Sequence, residues 1–329
     1  MTKGTGATVA RPARPVIVIA GPTASGKSGL AVAIARAFRG VVINADSMQI
    51  YRDLCLLTAR PSEAEEAQAP HRLYGVLDGA EACSAGRWRD LALAEIDAAH
   101  AAGLLPVLCG GTGLYLATLM RGIAPVPAVP ESAREEATAL LRRLGNAAFH
   151  AALAARDPVM AGRLHPGNTQ RLIRAWEVLA ATGRSLADWQ RAAPVGGAAH
   201  LDFQSFTLLP PRDALYAACD GRLRRMVEAG ALDEVAALMA RGLAPALPVM
   251  KALGVRELAA YLAGAVDLDA AIDAAQRETR RYAKRQVTWF RHQMPESEIF
   301  ETGVGAQYST SPPDEIFSKI RQSGLTDAI

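Results

Sequence analysis

No stretch of this sequence is apolar over the roughly 20 residues that a bilayer-spanning helix needs, so no membrane span is expected. Cysteine is scarce: Cys55, Cys83, Cys109 and Cys219 stand far apart, with no C-x-x-C and no histidine at metal-ligand spacing. That argues against a structural zinc site and predicts buried, reduced thiols. Net charge is small too. The 36 basic and 33 acidic residues leave +3, so a polyanion must be met by a local basic surface rather than by the molecule as a whole. Met1 to Arg14 carries Arg and Lys but no hydrophobic segment of signal type, and reads as a disordered leader on a cytoplasmic protein. What is present is globular composition, 50% hydrophobic and 21% charged. The 329 residues suffice for one large domain with an insertion or for two modest ones.

Gly21, Pro22, Thr23, Ala24, Ser25, Gly26, Lys27 and Ser28 match the phosphate-loop pattern G-x-x-x-x-G-K-[ST] in full. Before them, Val16 to Ala20 has the β-branched content of a strand buried on both faces. After them, Gly29 to Ala35 reads as a helix. Glycines let the backbone approach an anion, N–H groups and the helix N-terminus face it, and Lys27 adds a whole charge. Ser28 is placed to ligate Mg²⁺. A ligand carrying a diphosphate or triphosphate is expected here.

Val41 to Tyr51 is a short strand ending in polar residues, and in an open parallel sheet ligands gather at the carboxyl ends of strands. Asp46, Ser47 and Gln49 are therefore expected to face the crevice of the phosphate loop, or Asp46 or Ser47 to cap a following helix; both can hold. His71 to Leu77 reads as a further strand and Ser84 to Ala102 as a helix capped by Ser84. A second Gly-rich strand-to-helix corner, Gly110-Gly111-Thr112-Gly113, either forms another wall of the crevice or is a tight turn without a ligand.

From about residue 125 to 200, between two Pro/Gly-rich linkers, the pattern is helical only, with nine arginines, six acids and no lysine. In Gln170 to Leu179, helical periodicity sets Gln170, Arg171 and Arg174 opposite Leu172, Trp176 and Leu179. That basic edge suits phosphate and base recognition, or is simply solvated. Strand character resumes at Phe203 to Leu209, followed by helices over Tyr216 to Met239, a basic corner around Lys251 and Arg256, and a long helix from about Leu268 to His292. On that last helix Arg277, Arg281, Lys284 and Arg291 form one stripe. The segment after Phe300 is polar and reads as mostly loose, with a short helix near Asp314 to Arg321.

GPTASGKS, INADSMQIYRDL, LCGGTGLYL, DPVMAGRLHPGNTQRLIRAWEVLAATGRSL, LPVMKALGVREL and RETRRYAKRQVTWFRH occur in this order over residues 16–293. Together they resemble the bacterial tRNA dimethylallyltransferases, also called tRNA isopentenyltransferases. The resemblance implies an α/β fold: a P-loop NTPase-like parallel sheet core, residues 15–124 and 201–300, with an all-helical tRNA-binding insertion, residues 125–200. It implies transfer of a dimethylallyl group from dimethylallyl diphosphate, with Mg²⁺, to N6 of adenosine 37 in the tRNA anticodon stem-loop. Phosphate-loop residues 21–28 would hold the diphosphate, with Arg222, or after it Arg225, as extra cation. Asp46 would be the general base, and Thr112 would orient diphosphate and nucleotide. tRNA would meet Asp46, Ser47, Met48, Gln49, Thr112, Arg134, Gln170, Arg171, Leu172, Ile173, Arg174, Lys251 and Arg256.

The chain departs from the family pattern where D-I-G-T-A-K-P is common and this sequence has Leu54-Cys55-Leu56-Leu57-Thr58-Ala59-Arg60-Pro61, and again at His71-Arg72. It has no zinc finger of eukaryotic type. Three other readings share the loop: an adenylate isopentenyltransferase, which has no need of the basic insertion, a kinase or ATPase, and a non-catalytic RNA-binding protein. A monomer is the default.

Overall fold

The computed structural model describes residues 14–301 and 314–323; the predicted leader over residues 1–14, Arg14 excepted, and most of the predicted loose tail lie outside the described residues. In chain order the elements are β1 (Pro15–Ala20), α1 (Lys27–Ala37), β2 (Gly40–Asn44), α2 (Glu63–Glu66), β3 (His71–Arg72), α3 (Ala85–Ala101), β4 (Leu105–Gly110) and α4 (Gly113–Arg121). Then come α5 (Glu131–Arg156), α6 (Pro158–Ala161), α7 (Thr169–Thr182) and α8 (Leu186–Arg191), all helical. Strand β5 (Asp202–Leu208) follows, then α9 (Arg212–Glu228), α10 (Ala231–Ala240), α11 (Val255–Leu262), α12 (Leu268–Gln293), β6 (Glu298–Phe300) and α13 (Asp314–Gln322). Among the described residues no helix is long and apolar enough to cross a membrane.

Residue contacts divide the chain into two units, Met1–Met120 with Ala198–Ile329, and Arg121–Gly197. In the first, six strands form one sheet in the order β3-β2-β4-β1-β5-β6, and every neighbouring pair is parallel. Side chains alternate between two cores, as a pleat of period two requires. Val16, Val18, Val41 and Ile43 join Trp88 and Ile96 of α3 and Phe290 of α12 on one face. Ile17, Ile19, Val42 and Val107 join Leu30 and Ile34 of α1 and Ile316 of α13 on the other. Covering both faces explains why these strands read as continuous apolar runs.

The all-helical unit has its own core of Phe149, Leu153, Leu172, Ala175 and Val178. Its longest helix, α5, breaks at Gly145 (φ 75°). Asp157, Ser185 and, in the other unit, Ser84 and Asp267 cap the helices that follow them.

Two strand readings need correction. The strand expected over residues 71–77 ends after Arg72, because Leu73 (φ 63°) and Gly75 (φ 62°) turn the chain out of register. Strand β6 was not foreseen: it is a short edge strand, paired through Phe206, Thr207 and Leu208 of β5.

Candidate active site

The site begins at the end of the central strand β1. Gly26 caps α1 in the left-handed conformation (φ 86°), which glycine adopts without steric cost, so the chain can turn tightly enough to aim the first N–H groups of α1 outward. Ala24 holds the same backbone region (φ 62°) without being glycine, a strain found most often at functional loops. Lys27 reaches back across the loop and its Nζ donates to the Pro22 carbonyl at 3.3 Å. Burial lowers the Lys27 ammonium below its usual range, with Arg222 adding to this and Asp46 opposing it.

The adjacent strands bring up the second wall. After β2, the Asp46 N–H donates to Asn44 Oδ1 (2.7 Å) and Asp46 Oδ1 accepts from the Met48 N–H (2.9 Å). After β4, Thr112 Oγ1 accepts from the Ser47 N–H (2.9 Å) and lies 3.2 Å from Ser47 Oγ. These ends meet only because position 110 is glycine. A Cβ there would lie 2.1 Å from the carbonyl carbon and oxygen of Ala45. Asp46 thus caps a turn rather than a helix and also faces the crevice.

Helices α9 and α12 close the site from above. Arg222 of α9 donates to Thr23 Oγ1, and burial lowers its guanidinium below the usual range. Arg280 of α12 grips both Asp220 carboxylate oxygens at 2.6 Å, fixing α12 on α9. Tyr282 of α12 lines the cavity, and its phenol is pushed upward first by burial and then by the Asp46 charge. The result is a cavity of about 290 Å³ into which Thr23, Asp46, Ser47, Arg222, Tyr282 and Arg285 project. Leu57, Leu223, Met226 and Leu253 supply its apolar wall. A second cavity, about 260 Å³, opens on the outer side of the loop, lined by Lys27, Ser28, Arg60, His71 and Tyr74, and shares Arg222.

A family model described as IPP transferase matches residues 49–293. A tRNA dimethylallyltransferase of Paramagnetospirillum magneticum is 60% identical over 312 residues, covering 95% of this chain and 98% of the relative. The chain belongs to the IPP transferase family. Among solved structures, the full-length tRNA isopentenylpyrophosphate transferase of Bacillus halodurans superposes with a TM-score of 0.66 at 33% identity, covering 95% of this chain and 97% of that one. A eukaryotic dimethylallyltransferase acting on tRNA gives a TM-score of 0.74 at 26% identity, covering 95% and 80%. The P-loop NTPase-like fold is therefore that of the IPP transferases.

Of the residues singled out in the sequence, Thr23, Asp46, Ser47, Met48, Arg222 and Lys251 line the first cavity, with Thr112 bonded to Ser47 behind it. Residues 24–28 line the second. Arg225 is exposed and lines neither. In the helical unit Arg134, Gln170, Arg171 and Arg174 are exposed, Arg174 pairing with Glu177 at 2.6 Å. Arg256 is exposed and paired with Glu257 at 2.7 Å, facing an outer groove. Arg72, also exposed, lies 3.8 Å from Glu95.

Three assignments are corrected. Leu172 is fully buried in the helical unit's core, so its side chain offers no free surface to RNA, and half-buried Ile173 packs against that core. Gln49 is absent from the lining of the first cavity; its amide donates to the carbonyls of Thr58 and Ala59, each at 2.8 Å, and so acts on the loop. The Thr23 and Ser25 amides do not point at an anion. The former donates to Gln286 Oε1 (2.9 Å) and the latter to the Pro22 carbonyl (3.3 Å).

Tyr282, Gln286 and Glu234 escaped the sequence reading. On α12 the buried stripe Ala275, Thr279, Ala283, Gln286 and Phe290 contains polar side chains, and a polar residue on an apolar face is the signal that could have found Gln286. Glu234 of α10 accepts from the N–H groups of Cys55, Leu56 and Leu57, a contact too distant in sequence to anticipate.

Proposed function

We propose that the chain transfers a dimethylallyl group from dimethylallyl diphosphate to N6 of adenosine 37 in the anticodon stem-loop of tRNA, releasing diphosphate. The observation that carries this reading is the shared cavity, in which a carboxylate, Asp46, faces cations and an apolar wall beside a phosphate loop. The bond formed is N6 to the allylic carbon, and the bond broken is that carbon to the diphosphate oxygen. The N6 proton passes to Asp46; a carboxylate is base enough because the amine acidifies as it is alkylated. Lys27, Arg222 and the first-turn N–H groups of α1 neutralise charge growing on the leaving group. Thr112 and Ser47 orient the adenine side, and Leu57, Leu223 and Leu253 shelter the allylic cation from water.

The donors present fit Mg²⁺: Ser28 offers a hydroxyl, a hard oxygen donor, beside Lys27 in the phosphate loop. An ion bound by one hydroxyl and diphosphate oxygens would add positive charge at the leaving group. The adenosine must leave its stack to reach the cavity. Exposed Arg134, Gln170, Arg171 and Arg174 would grip the stem-loop, with residues 125–200 as the tRNA-binding insertion, residues 15–124 and 201–300 as the catalytic core, and Lys251 and Arg256 as further contacts. A monomer acting in the cytoplasm fits this role.

The test is incubation with labelled dimethylallyl diphosphate, Mg²⁺ and either tRNA or free AMP, for wild type and Asp46→Ala. Label in tRNA from wild type, with normal tRNA binding but slow transfer by the variant, is expected. Label in AMP alone would move the chain to the free-nucleotide class, and ATP turnover without label transfer would make it a kinase or ATPase.

A further inference from the structure

Gln286 of α12 is only 5% exposed, and its side chain touches both Gly-rich corners. Its Oε1 accepts from the Thr23 N–H at 2.9 Å, and its Nε2 donates to the Gly111 carbonyl at 2.8 Å. The fit is tight: a Cβ on Gly111 would lie 2.4 Å from Nε2. Each end leads to a different half of the site. Thr23 carries the hydroxyl that receives Arg222, on the leaving-group side. Gly111 precedes Thr112, which holds Ser47 next to Asp46, on the nucleophile side.

We infer that Gln286 is a positioning residue that sets the separation between the phosphate loop and the Gly111-Thr112 corner, and thereby the approach of the amine to the allylic carbon. The inference rests on the proposed reading of the site. A primary amide meets both ends at any pH, since one end needs an acceptor and the other a donor. A carboxylate supplies the acceptor alone, a thioether supplies no donor, and a protonated carboxyl supplies donor and acceptor again. Displacing reacting groups by about 1 Å costs on the order of 100-fold in rate without a matching loss of binding.

The experiment is single-turnover prenyl transfer to tRNA, with KM for each substrate, for wild type, Gln286→Met, Gln286→Glu and Gly111→Ala, the last pressing on the same contact while leaving residue 286 a glutamine. The expected result for Gln286→Met and Gly111→Ala is a fall of about 100-fold in the transfer rate, with each KM within about threefold of wild type. For Gln286→Glu, the ratio of its rate to wild type is expected to rise as pH falls and the carboxyl gains its proton. Rates are taken per folded molecule, because an ionised Glu at this buried position also makes the folded fraction depend on pH; a purely structural role would lower that fraction but leave the ratio per folded molecule flat with pH. Wild-type rates in the variants, a loss confined to KM, or a flat ratio would overturn the inference. Absence of transfer by wild type would instead overturn the reading of the site.

Discussion

Gly110→Ala should damage both stability and chemistry, and the size of the effect can be worked from the contact. The added methyl would meet the Ala45 carbonyl carbon and oxygen at 2.1 Å and its Cα at 2.7 Å, whereas carbon atoms rest at about 3.5–4.0 Å. The backbone after β2 must therefore retreat by more than about 1 Å. That breaks the Ala45 N–H bond to the Cys109 carbonyl (2.8 Å) and stretches the Thr112 N–H bond to the Ala45 carbonyl (3.3 Å). Overpacking costs about 1–3 kcal/mol and a buried group left unpaired about 1–3 kcal/mol, together roughly 2–6 kcal/mol. At about 2–4 °C per kcal/mol for a unit of this size, the melting temperature should fall by on the order of 10 °C. Asp46 follows directly, so transfer should slow by about 100-fold in the molecules that remain folded. Thermal melting by circular dichroism and single-turnover transfer measure the two effects. Gly86→Ala in α3 is the control, because the nearest atom to its new methyl is 3.9 Å away; it should be neutral or stabilising by about 0.5–1 kcal/mol. Gly110→Ala melting within about 2 °C of wild type, with full activity, would refute the reasoning.

Lys27→Met should melt higher than wild type near neutral pH. Because burial lowers the Lys27 pKa from 10.5, the folded chain holds that proton less tightly than the unfolded chain, so the charged lysine costs stability below its lowered value. The cost fades as pH rises from there toward 10.5, so the gap between variant and wild type should narrow with pH, and a widening gap in melting curves would contradict this. Arg171→Ala changes an exposed side chain and should leave the melting temperature alone. If it neutralises one phosphate, the slope of log affinity for tRNA against log salt should shrink by about 0.7–0.9, and an unchanged slope would remove it from the interface.

Much of this fold was legible because its signals are local. The phosphate loop lies inside one continuous stretch, Gly21 to Ser28, and the strands β1, β2 and β4 are apolar runs ended by glycine or polar residues. The reading failed where the deciding partner is remote. Strand β6 exists only through its pairing with β5, and no pattern of its own announces it. Gln286 lies far along the chain from both Thr23 and Gly111, and Glu234 from the loop it holds, so periodicity could mark them as buried or polar without naming their partners. Leu172 fails differently. Helical spacing set it opposite Arg171 and Arg174, and the buried position it occupies agrees with that spacing rather than with the tRNA contact that the family resemblance implied.

The loop of residues 54–60 is held by the buried side chains of Leu54 and Leu57 and, beside them, by a grip on its main chain. Glu234 takes the N–H groups of Cys55, Leu56 and Leu57, Gln49 takes the carbonyls of Thr58 and Ala59, and Thr58 Oγ1 closes on the Leu54 carbonyl at 3.0 Å. Main-chain groups are the same whatever side chains they carry. The path of this cavity wall at Cys55 and Ala59 is thus set by groups that do not depend on which side chain stands there. A change of letter is cheaper at half-buried Cys55 than at Leu54 or Leu57, and loss of Glu234 or Gln49 would free two or three main-chain groups at a stroke.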